Sequence, residues 1–152
     1  MKEDDIAPNF VLPTDTGDLF DLEKINKDVV LFFYPKDNTP GCTVEAQGFV
    51  KLYEDITKLG VIIVGLSKDS IKSHANFKQK CSMPFTLLSD ENAEICTKYG
   101  VLKEKSMFGK KYMGIVRTTF FINKNKIITK IWSKIDVDKH PQEVLQYIRS
   151  NK

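Results

Sequence analysis

The residue of this sequence best placed to do chemistry is Cys42, which follows Thr39-Pro40-Gly41 at the start of a predicted helix. Proline suits the first position of a helix, because its missing N–H would have no partner there, and threonine suits the N-cap position before it. Cys42 is then the third helical residue, so its own N–H is among the donors that a helix leaves unpaired. The positive end of the helix dipole favours a thiolate over a thiol at such a position. The sequence therefore indicates a nucleophilic cysteine.

Cys42 lies between a predicted strand and the body of this helix. Residues 29–34 are apolar throughout, as expected of a strand that is covered on both faces of a parallel sheet. The helix continues with apolar residues at helical spacing as far as Leu59, and Gly60 ends it. Free cysteine is also a common buried residue, so an inert packed thiol is the alternative at this position. The strand-to-helix turn favours function, because functional residues concentrate on loops at the ends of strands.

The rest of the chain alternates between predicted strands and helices. A hairpin is expected around the turn at residues 14–18, and a second one is formed by residues 118–122 and 127–132. The sequence also predicts strands at 61–66 and 85–88. Helices are predicted at 71–80, from Ser89-Asp90 to Gly100, and from Pro141 onward. This order predicts a parallel sheet with an antiparallel edge, in one three-layer α/β domain over residues 1–152. Ligands in such sheets bind outside the carboxyl ends of the strands, where Cys42 lies.

Composition and charge limit the classes of partner. The 152 residues carry 23 Lys and Arg against 20 Asp and Glu, and this net charge of +3 does not indicate nucleic-acid or membrane binding. The basic run at 103–111 is predicted to be a solvated loop. No apolar run approaches the roughly 18 residues of a membrane span, and residues 1–5 do not resemble a signal peptide. A cytoplasmic protein with reduced cysteines is expected.

The sequence predicts no metal site and no cofactor. Cys42, Cys81 and Cys96 lie far apart, without a C-x-x-C pair, and no Cys/His pair has the spacing of a zinc finger. His74 and His140 have no acidic or cysteine neighbour at ligand spacing. Both are expected to be ordinary surface or half-buried histidines.

The residues Pro35-x-x-x-Thr39-x-x-Cys42 match the P-x-x-x-T-x-x-C motif of the peroxiredoxins, and the chain resembles this family. The likeness extends along the chain, with further similar blocks at residues 7–10, 85–90 and 112–117. Residues 39–43, with the sequence TPGCT, most closely resemble the peroxiredoxin Q, or bacterioferritin-comigratory-protein, group. The resemblance implies a thioredoxin-like three-layer α/β/α fold, here with an N-terminal β-hairpin extension.

The resemblance also implies roles for particular residues. Cys42 would be the peroxidatic cysteine, which attacks the peroxide and becomes a sulfenic acid. Thr39 would hold a peroxide oxygen through its hydroxyl, and Pro35 would shield the thiolate from water. Arg117 matches the arginine that holds thiolate and peroxide together, and Glu45 matches an acidic position that orients this arginine. These types suit the reaction, since a guanidinium and a helix N-terminus stabilise a thiolate and donors stabilise the departing oxygen.

The sequence differs from its relatives in the position of the resolving cysteine, which forms a disulfide with the peroxidatic cysteine. Many members of the group have this cysteine five residues after the peroxidatic one, and this position is Gln47 here. Others have it on the helix at 71–80, at a position that corresponds to Lys78, whereas this chain has Cys81 one turn later. Cys81 is the expected resolving cysteine. Two alternatives for the resolving partner remain open. One is Cys96, although its neighbours at helical spacing suggest a packed core face, and the other is that this chain has no resolving cysteine.

The predicted function is a thiol-dependent peroxidase that reduces hydrogen peroxide and organic hydroperoxides and is recycled by thioredoxin or a similar dithiol. The resemblance implies a monomer. One alternative is a thioredoxin-like dithiol–disulfide oxidoreductase, but the position that would complete its C-x-x-C motif is Thr39. Another is a non-catalytic binding module with the same fold. A Cys–His hydrolase is a weaker alternative, since the sequence places neither histidine beside Cys42.

Overall fold

A computed structural model describes residues 1–151, in which a five-stranded sheet is flanked by helices and by two smaller hairpins. The strands are β1 (Val11–Pro13), β2 (Leu19–Asp21), β3 (Asp28–Phe33), β4 (Val61–Ser67), β5 (Thr86–Ser89), β6 (Leu102–Met107), β7 (Lys110–Ile115), β8 (Thr118–Ile122) and β9 (Ile128–Trp132). The helices are α1 (Pro40–Lys51), α2 (Tyr53–Thr57), α3 (Ile71–Cys81), α4 (Glu94–Lys98) and α5 (His140–Asn151).

The main sheet has the strand order β5-β4-β3-β8-β9, with β3 at its centre. Strands β3, β4 and β5 are parallel, whereas β8 runs antiparallel to β3 and β9 antiparallel to β8. This confirms the predicted parallel sheet with an antiparallel edge. The register of β3 and β8 pairs Phe33 with Thr118. The end of β3 and the start of β8 therefore meet at one edge of the sheet.

Two apolar cores lie on opposite faces of this sheet, because alternate side chains of a strand point to opposite faces. Val30 and Phe32 of β3 pack with α1, α2, α3 and α5 in one core. Leu31 and Phe33 pack with α4 and the β1–β2 hairpin in the other. This confirms the three-layer prediction. Helix α1 approaches α5 closely at Gly48, where an added β-carbon would lie 2.6 Å from Cγ of Pro141.

The single helix predicted from Cys42 to Gly60 is wrong in one respect, since the chain breaks into α1 and α2 at Leu52. This residue leaves the helical region, with φ −98° and ψ 5°, and its N–H bonds to the carbonyls of Gly48 and Val50. The apolar spacing gives no sign of the break, because Phe49 and Ile56 face the same core on both sides of it.

The solvated loop predicted at residues 103–111 is also wrong. This segment belongs to the β6–β7 hairpin, in which Met107 pairs with Lys110 across a two-residue turn. Lysine is a poor strand former, and most of these side chains are exposed, so the segment has no alternating apolar pattern.

The other predicted elements are present with shifted ends. Helix α4 starts only at Glu94, since the carboxylate of Asp90 accepts hydrogen bonds from the N–H groups of Ile95 and Cys96. Strand β5 lies one residue later than predicted, and α5 begins at His140, one residue before Pro141. No helix within residues 1–151 is long and apolar enough to cross a membrane.

Candidate active site

Cys42 lies at the third position of α1, directly after the loop that follows β3. Its side chain is 2% exposed. Thr39 is the N-cap residue of α1, as predicted, but its side chain makes no capping hydrogen bond. Its hydroxyl instead donates to the carbonyl of Lys36 at 3.0 Å. The hydroxyl thus closes the loop on itself, and the first N–H groups of α1 receive no side-chain cap.

Arg117 reaches Cys42 because of the strand register. It precedes Thr118, which pairs with the last residue of β3, so its side chain starts from the same edge of the sheet as α1. Its Nη2 donates to Sγ of Cys42 at 3.4 Å, and its Nη1 donates to Oε1 of Glu45 at 2.6 Å. At Gly41 an added β-carbon would lie 3.3 Å from Nη2, so the absence of a side chain there leaves room for the guanidinium.

Glu45 is fully buried, one turn after Cys42 on α1. Burial raises the pKa of Glu45 to about 7, against the opposing attraction of the Arg117 guanidinium. Burial alone would lower the pKa of Arg117, but Glu45 and Cys42 outweigh it and the pKa is raised. Oε2 of Glu45 has no hydrogen-bond partner within the described residues. The guanidinium is therefore held between a carboxyl group and a sulfur that are both buried.

This burial predicts a pH dependence of stability. The pKa of Glu45 in the folded protein, about 7, exceeds the ordinary value of 4.5, so the folded chain binds more protons than the unfolded chain between these values. The contribution of Glu45 is therefore fully present below the lower value and is lost as the pH rises through the higher one. We expect the wild type to gain stability relative to Glu45→Gln as the pH is lowered through this window, measured by urea unfolding of both proteins.

The exposed Glu54 on α2 supplies the matched control, because Glu54→Gln removes a carboxyl group that is not buried. Its stability should follow the wild-type pH profile. If the stability of the wild type and that of Glu45→Gln changed in parallel with pH, the raised pKa of Glu45 would be contradicted.

A buried polar network anchors the loop before α1. The carboxylate of Asp37 accepts hydrogen bonds from the hydroxyls of Tyr34 at 2.6 Å and Ser73 at 2.7 Å, and it lies 2.8 Å from Nδ1 of His74. The other ring nitrogen of His74 lies 2.8 Å from the carbonyl of Leu88. Each ring nitrogen of His74 therefore lies at hydrogen-bond distance from an oxygen atom. The network ties the loop to α3 and to β5.

His74 and His140 are both fully buried, so the prediction of surface or half-buried histidines is wrong for each of them. Nε2 of His140 lies 2.8 Å from Oγ1 of Thr119, and Nδ1 has no hydrogen-bond partner within the described residues. Burial, with the charge of Arg117 as a second cause, lowers the pKa of His140 to about 4. A neutral ring at neutral pH follows, packed edge-on against Phe49 and Trp132.

Asp37, Asp69 and His74 could in principle hold a cation, since one ligand atom of each lies within 4.8 Å of the others. These atoms already have partners, however. Oδ2 of Asp69 accepts hydrogen bonds from the N–H of Asp37 and the hydroxyl of Ser67. The cluster thus holds the loop through hydrogen bonds. Sequence reasoning missed it, because Asp37 and His74 are 37 residues apart and neither has a ligand-like neighbour in the sequence.

A cavity of about 370 Å³ opens beside the loop. Pro35 and Thr39 form part of its wall, and apolar side chains of the β6–β7 hairpin form another part, among them Met107, Tyr112 and Ile115. The structure therefore places two of the residues named from the motif on an open cavity, and it places Cys42, Glu45 and Arg117 in contact beneath the surface.

The other two cysteines lie on opposite sides of the sheet. Cys81, the last residue of α3, belongs to the same core as Cys42, whereas Cys96 belongs to the core on the other face. Burial raises the pKa of both thiols, and Asp90 raises that of Cys96 further. All three cysteines are free thiols in this structure.

Comparison with known proteins agrees with this geometry. The model of the AhpC/TSA family matches residues 4–131. Peroxiredoxin Bcp of Bacillus subtilis is 42% identical over 144 residues, which cover 94% of this chain and 92% of that protein. A Coxiella burnetii protein provisionally named peroxiredoxin bcp is 51% identical over 140 residues, which cover 91% and 93%. The solved structure of the bacterioferritin comigratory protein of Xanthomonas campestris superposes with a TM-score of 0.88 at 36% identity, covering 93% and 91%.

The fold and site define a thiol-dependent peroxidase with a thioredoxin-like fold, which acts on peroxides with a thiol reductant. The chain belongs to the AhpC/TSA family, and it is similar to proteins of the Bcp, or peroxiredoxin Q, group within that family. The expected resemblance is therefore confirmed. The peroxidase is favoured over the dithiol oxidoreductase and the binding module.

Proposed function

We propose that this chain reduces hydrogen peroxide and organic hydroperoxides with Cys42 as the attacking thiolate. The observation that carries the proposal is the contact between Nη2 of Arg117 and Sγ of Cys42, at 3.4 Å, at the N-terminus of α1. An unperturbed thiol is only a few per cent ionised at neutral pH. A fixed guanidinium and the first turn of a helix both favour the anion, which is the nucleophile.

The first step transfers one oxygen atom to Cys42. Its thiolate attacks one peroxide oxygen, the S–O bond forms as the O–O bond breaks, and the second oxygen leaves as an alkoxide or hydroxide. A proton converts this leaving group into an alcohol or water, and Cys42 becomes a sulfenic acid. Arg117 stabilises the negative charge of the transition state, and Glu45 positions Arg117 through their 2.6 Å hydrogen bond.

Thr39 and Pro35 act on the peroxide side of the site. Both line the cavity of about 370 Å³. The hydroxyl of Thr39 keeps a free lone pair while it donates to Lys36, so it can accept a hydrogen bond from a peroxide, and a rotation about χ1 lets it donate instead. Pro35 has no N–H and presents an apolar ring, which limits the access of water to the thiolate.

The cavity supports organic hydroperoxides as substrates beside hydrogen peroxide. Its wall includes the apolar side chains of Met107, Tyr112 and Ile115, against which an alkyl group can pack. The structural work on the similar Xanthomonas campestris protein concerns alkyl peroxide reduction.

Cys81 is the proposed resolving cysteine. It shares a core with Cys42, whereas Cys96 is separated from Cys42 by the sheet. Its thiol attacks the sulfenic sulfur, forming an S–S bond and releasing water. Bond formation requires Cα atoms within about 7 Å, so we expect the first turn of α1 or the last turn of α3 to unwind. The last turn of α3 is suited to this, because Ser82 after it is already left-handed, with φ 51°, and the chain leaves the helix there.

The test is to treat the protein with one equivalent of hydrogen peroxide and map its peptides without reduction. We expect a peptide pair joined between Cys42 and Cys81, in the wild type and in the control Cys96→Ser. A pair joined between Cys42 and Cys96 would transfer the resolving role. A sulfenic acid that persists on Cys42 without a bridge would mean a one-cysteine enzyme, and an unmodified Cys42 would contradict the proposal itself.

The remaining parts of the proposal concern the whole chain. A dithiol protein such as thioredoxin returns the disulfide to two thiols, and the enzyme acts as a monomer in the cytoplasm, without nucleic-acid or membrane partners. Residues 1–152 form one domain, which is supported by the sharing of β3 between both apolar cores. Size-exclusion chromatography and cell fractionation test the oligomeric state and the location.

A further inference from the structure

The β6–β7 hairpin exposes more large apolar side chains than a solvated element needs. Phe108, at its tip, is 98% exposed, and the side chains of Met107, Tyr112 and Met113 are exposed as well. Single exposed apolar residues are ordinary on protein surfaces, but a group on one projecting element marks an interaction site. Met107 and Tyr112 lie on one face of the hairpin, and Met113 lies on the other. We name Met107, Phe108 and Tyr112 the hairpin patch.

Phe108 is unfavourable in its position for two independent reasons. Phe108 and Gly109 form the two-residue turn, with φ of 52° and 78°, which is the type I′ arrangement. Asparagine and aspartate suit the first position of this turn, whereas a bulky aromatic residue is strained at positive φ. In addition, its ring is left in water. The turn itself would be served better by a small polar residue, so the aromatic side chain points to a role outside the fold.

The charge of the chain is concentrated on the same hairpin. Residues 102–115 contain four lysines and one glutamate, a net charge of +3, and the whole chain also has a net charge of +3. The rest of the chain is therefore neutral overall. Lys111 lies 3.5 Å from Glu104, but both are exposed and this pair contributes little. Lys110 and Lys111 line the same open cavity as Met107, Phe108 and Tyr112, which favours a partner with an acidic surface.

The hairpin also lies beside the loop that precedes Cys42. Met107 and Tyr112 line the cavity that Pro35 and Thr39 line, and together with Phe108 they line a second, open cavity of about 590 Å³ that also contacts Lys36. A protein that binds over the loop at Pro35 and Thr39 on this side therefore contacts the hairpin.

We propose that the hairpin patch and its lysines are the docking surface for the protein that reduces the oxidised enzyme, a dithiol protein whose active-site rim is apolar and acidic. This inference rests on the proposed disulfide between Cys42 and Cys81. One reductant thiolate attacks a sulfur of that disulfide, whose S–S bond breaks as a mixed disulfide forms. The second reductant thiol then displaces the peroxidase thiolate. Two electrons pass to this chain, and the reductant leaves as a disulfide.

The location favours this occupant over an anionic lipid surface, which would also match aromatic and basic side chains. The reaction requires a reductant to reach the active-site side of the molecule in every catalytic cycle. The hairpin patch lines the two cavities beside the loop that precedes Cys42. Nothing in the reaction requires contact with lipid there.

The test compares two reductants for the same enzyme. Peroxidase turnover is measured with bacterial thioredoxin, its reductase and NADPH, and again with dithiothreitol, which needs no docking surface. Phe108→Asn and the double variant Lys110→Gln/Lys111→Gln should each raise the KM for thioredoxin about fivefold or more, as expected when an interface loses an anchor or its charge complementarity. Turnover with dithiothreitol should stay at the wild-type value. Added salt should raise the wild-type KM for thioredoxin and affect the lysine variant less.

The matched control is Lys27→Gln/Lys124→Gln, which removes two exposed lysines at the opposite end of the sheet. It should keep the wild-type KM. Phe108→Asn should unfold at the same or a higher temperature than the wild type, because asparagine suits the turn. This separates lost docking from lost folding.

Unchanged KM values for thioredoxin in both hairpin variants would overturn the docking surface and leave the proposed function intact. A wild type that turns over with dithiothreitol but not with thioredoxin would overturn the proposed reductant and the docking surface together. Binding of the wild type to mixed phosphatidylcholine and phosphatidylglycerol vesicles, lost in the hairpin variants while their KM stays normal, would assign the patch to lipid instead.

Discussion

Replacing Cys42 with serine is expected to reduce peroxide consumption to the uncatalysed rate. A serine hydroxyl stays protonated at neutral pH, and neither the guanidinium of Arg117 nor one helix N-terminus supplies enough stabilisation to ionise it. The substitution is small and the site is already polar on the Arg117 side, so the chain should remain folded. The measurement is the loss of hydrogen peroxide with dithiothreitol as the reductant, together with circular dichroism to verify the fold.

The other two cysteines provide the controls for this result. Cys96 lies on the opposite face of the sheet, so Cys96→Ser should leave the first oxidation step and the Cys42–Cys81 disulfide intact. Cys81→Ser should keep the first step but accumulate sulfenic acid, which excess peroxide converts to the sulfinic acid. Wild-type peroxide consumption by Cys42→Ser would remove Cys42 from the mechanism.

The sequence predicts the position of Cys42 well, because the signals involved are local. Strand β3 is an unbroken apolar run, Thr39-Pro40 is a helix start, and a loop between them can only lie at the edge of the sheet. The parallel order of β3, β4 and β5 follows from alternating strands and helices. These features need no knowledge of contacts between distant residues.

The partners of Cys42 depend on long-range register, which the sequence does not contain in readable form. Arg117 contacts Cys42 only because Thr118 pairs with Phe33, and a register shift of one residue would turn the strand over. In the sequence, the role of Arg117 is implied only by the family resemblance. The buried pair of Asp37 and His74 has no counterpart in the motif, and both residues look like solvent-facing positions of a turn and of a helix.

The β6–β7 hairpin was missed for a different reason. Strand prediction relies on alternation between buried and exposed positions, and this hairpin packs little of its surface against the core. One local signal was available. Phe108-Gly109 separates two runs of six residues, and glycine at the second position is typical of a two-residue hairpin turn.

Replacing Arg117 with glutamine is expected to lower the second-order rate constant of Cys42 oxidation by about two to three decades, which is the usual effect of removing one donor from a transition-state charge. The guanidinium lies 3.4 Å from Sγ of Cys42 and is itself held by Glu45, so its loss removes stabilisation from the transition state and from the departing oxygen. The measurement is the single-turnover rate of oxidation by hydrogen peroxide, followed by rapid mixing.

A structural role for Arg117 would give a different pattern, and two further variants separate the two cases. Arg117→Gln alone leaves the fully buried Glu45 without its cation, so the double variant Arg117→Gln/Glu45→Gln removes that cost in folding. If Arg117 stabilises the transition state, the double variant should be as stable as the wild type or nearly so and still react two to three decades more slowly. Arg117→Lys should recover part of the rate, because it keeps the charge, but not all of it, because an ammonium cannot span Glu45 and Cys42 as the planar guanidinium does. Recovery of the wild-type rate in the double variant would show that Arg117 serves only to neutralise Glu45.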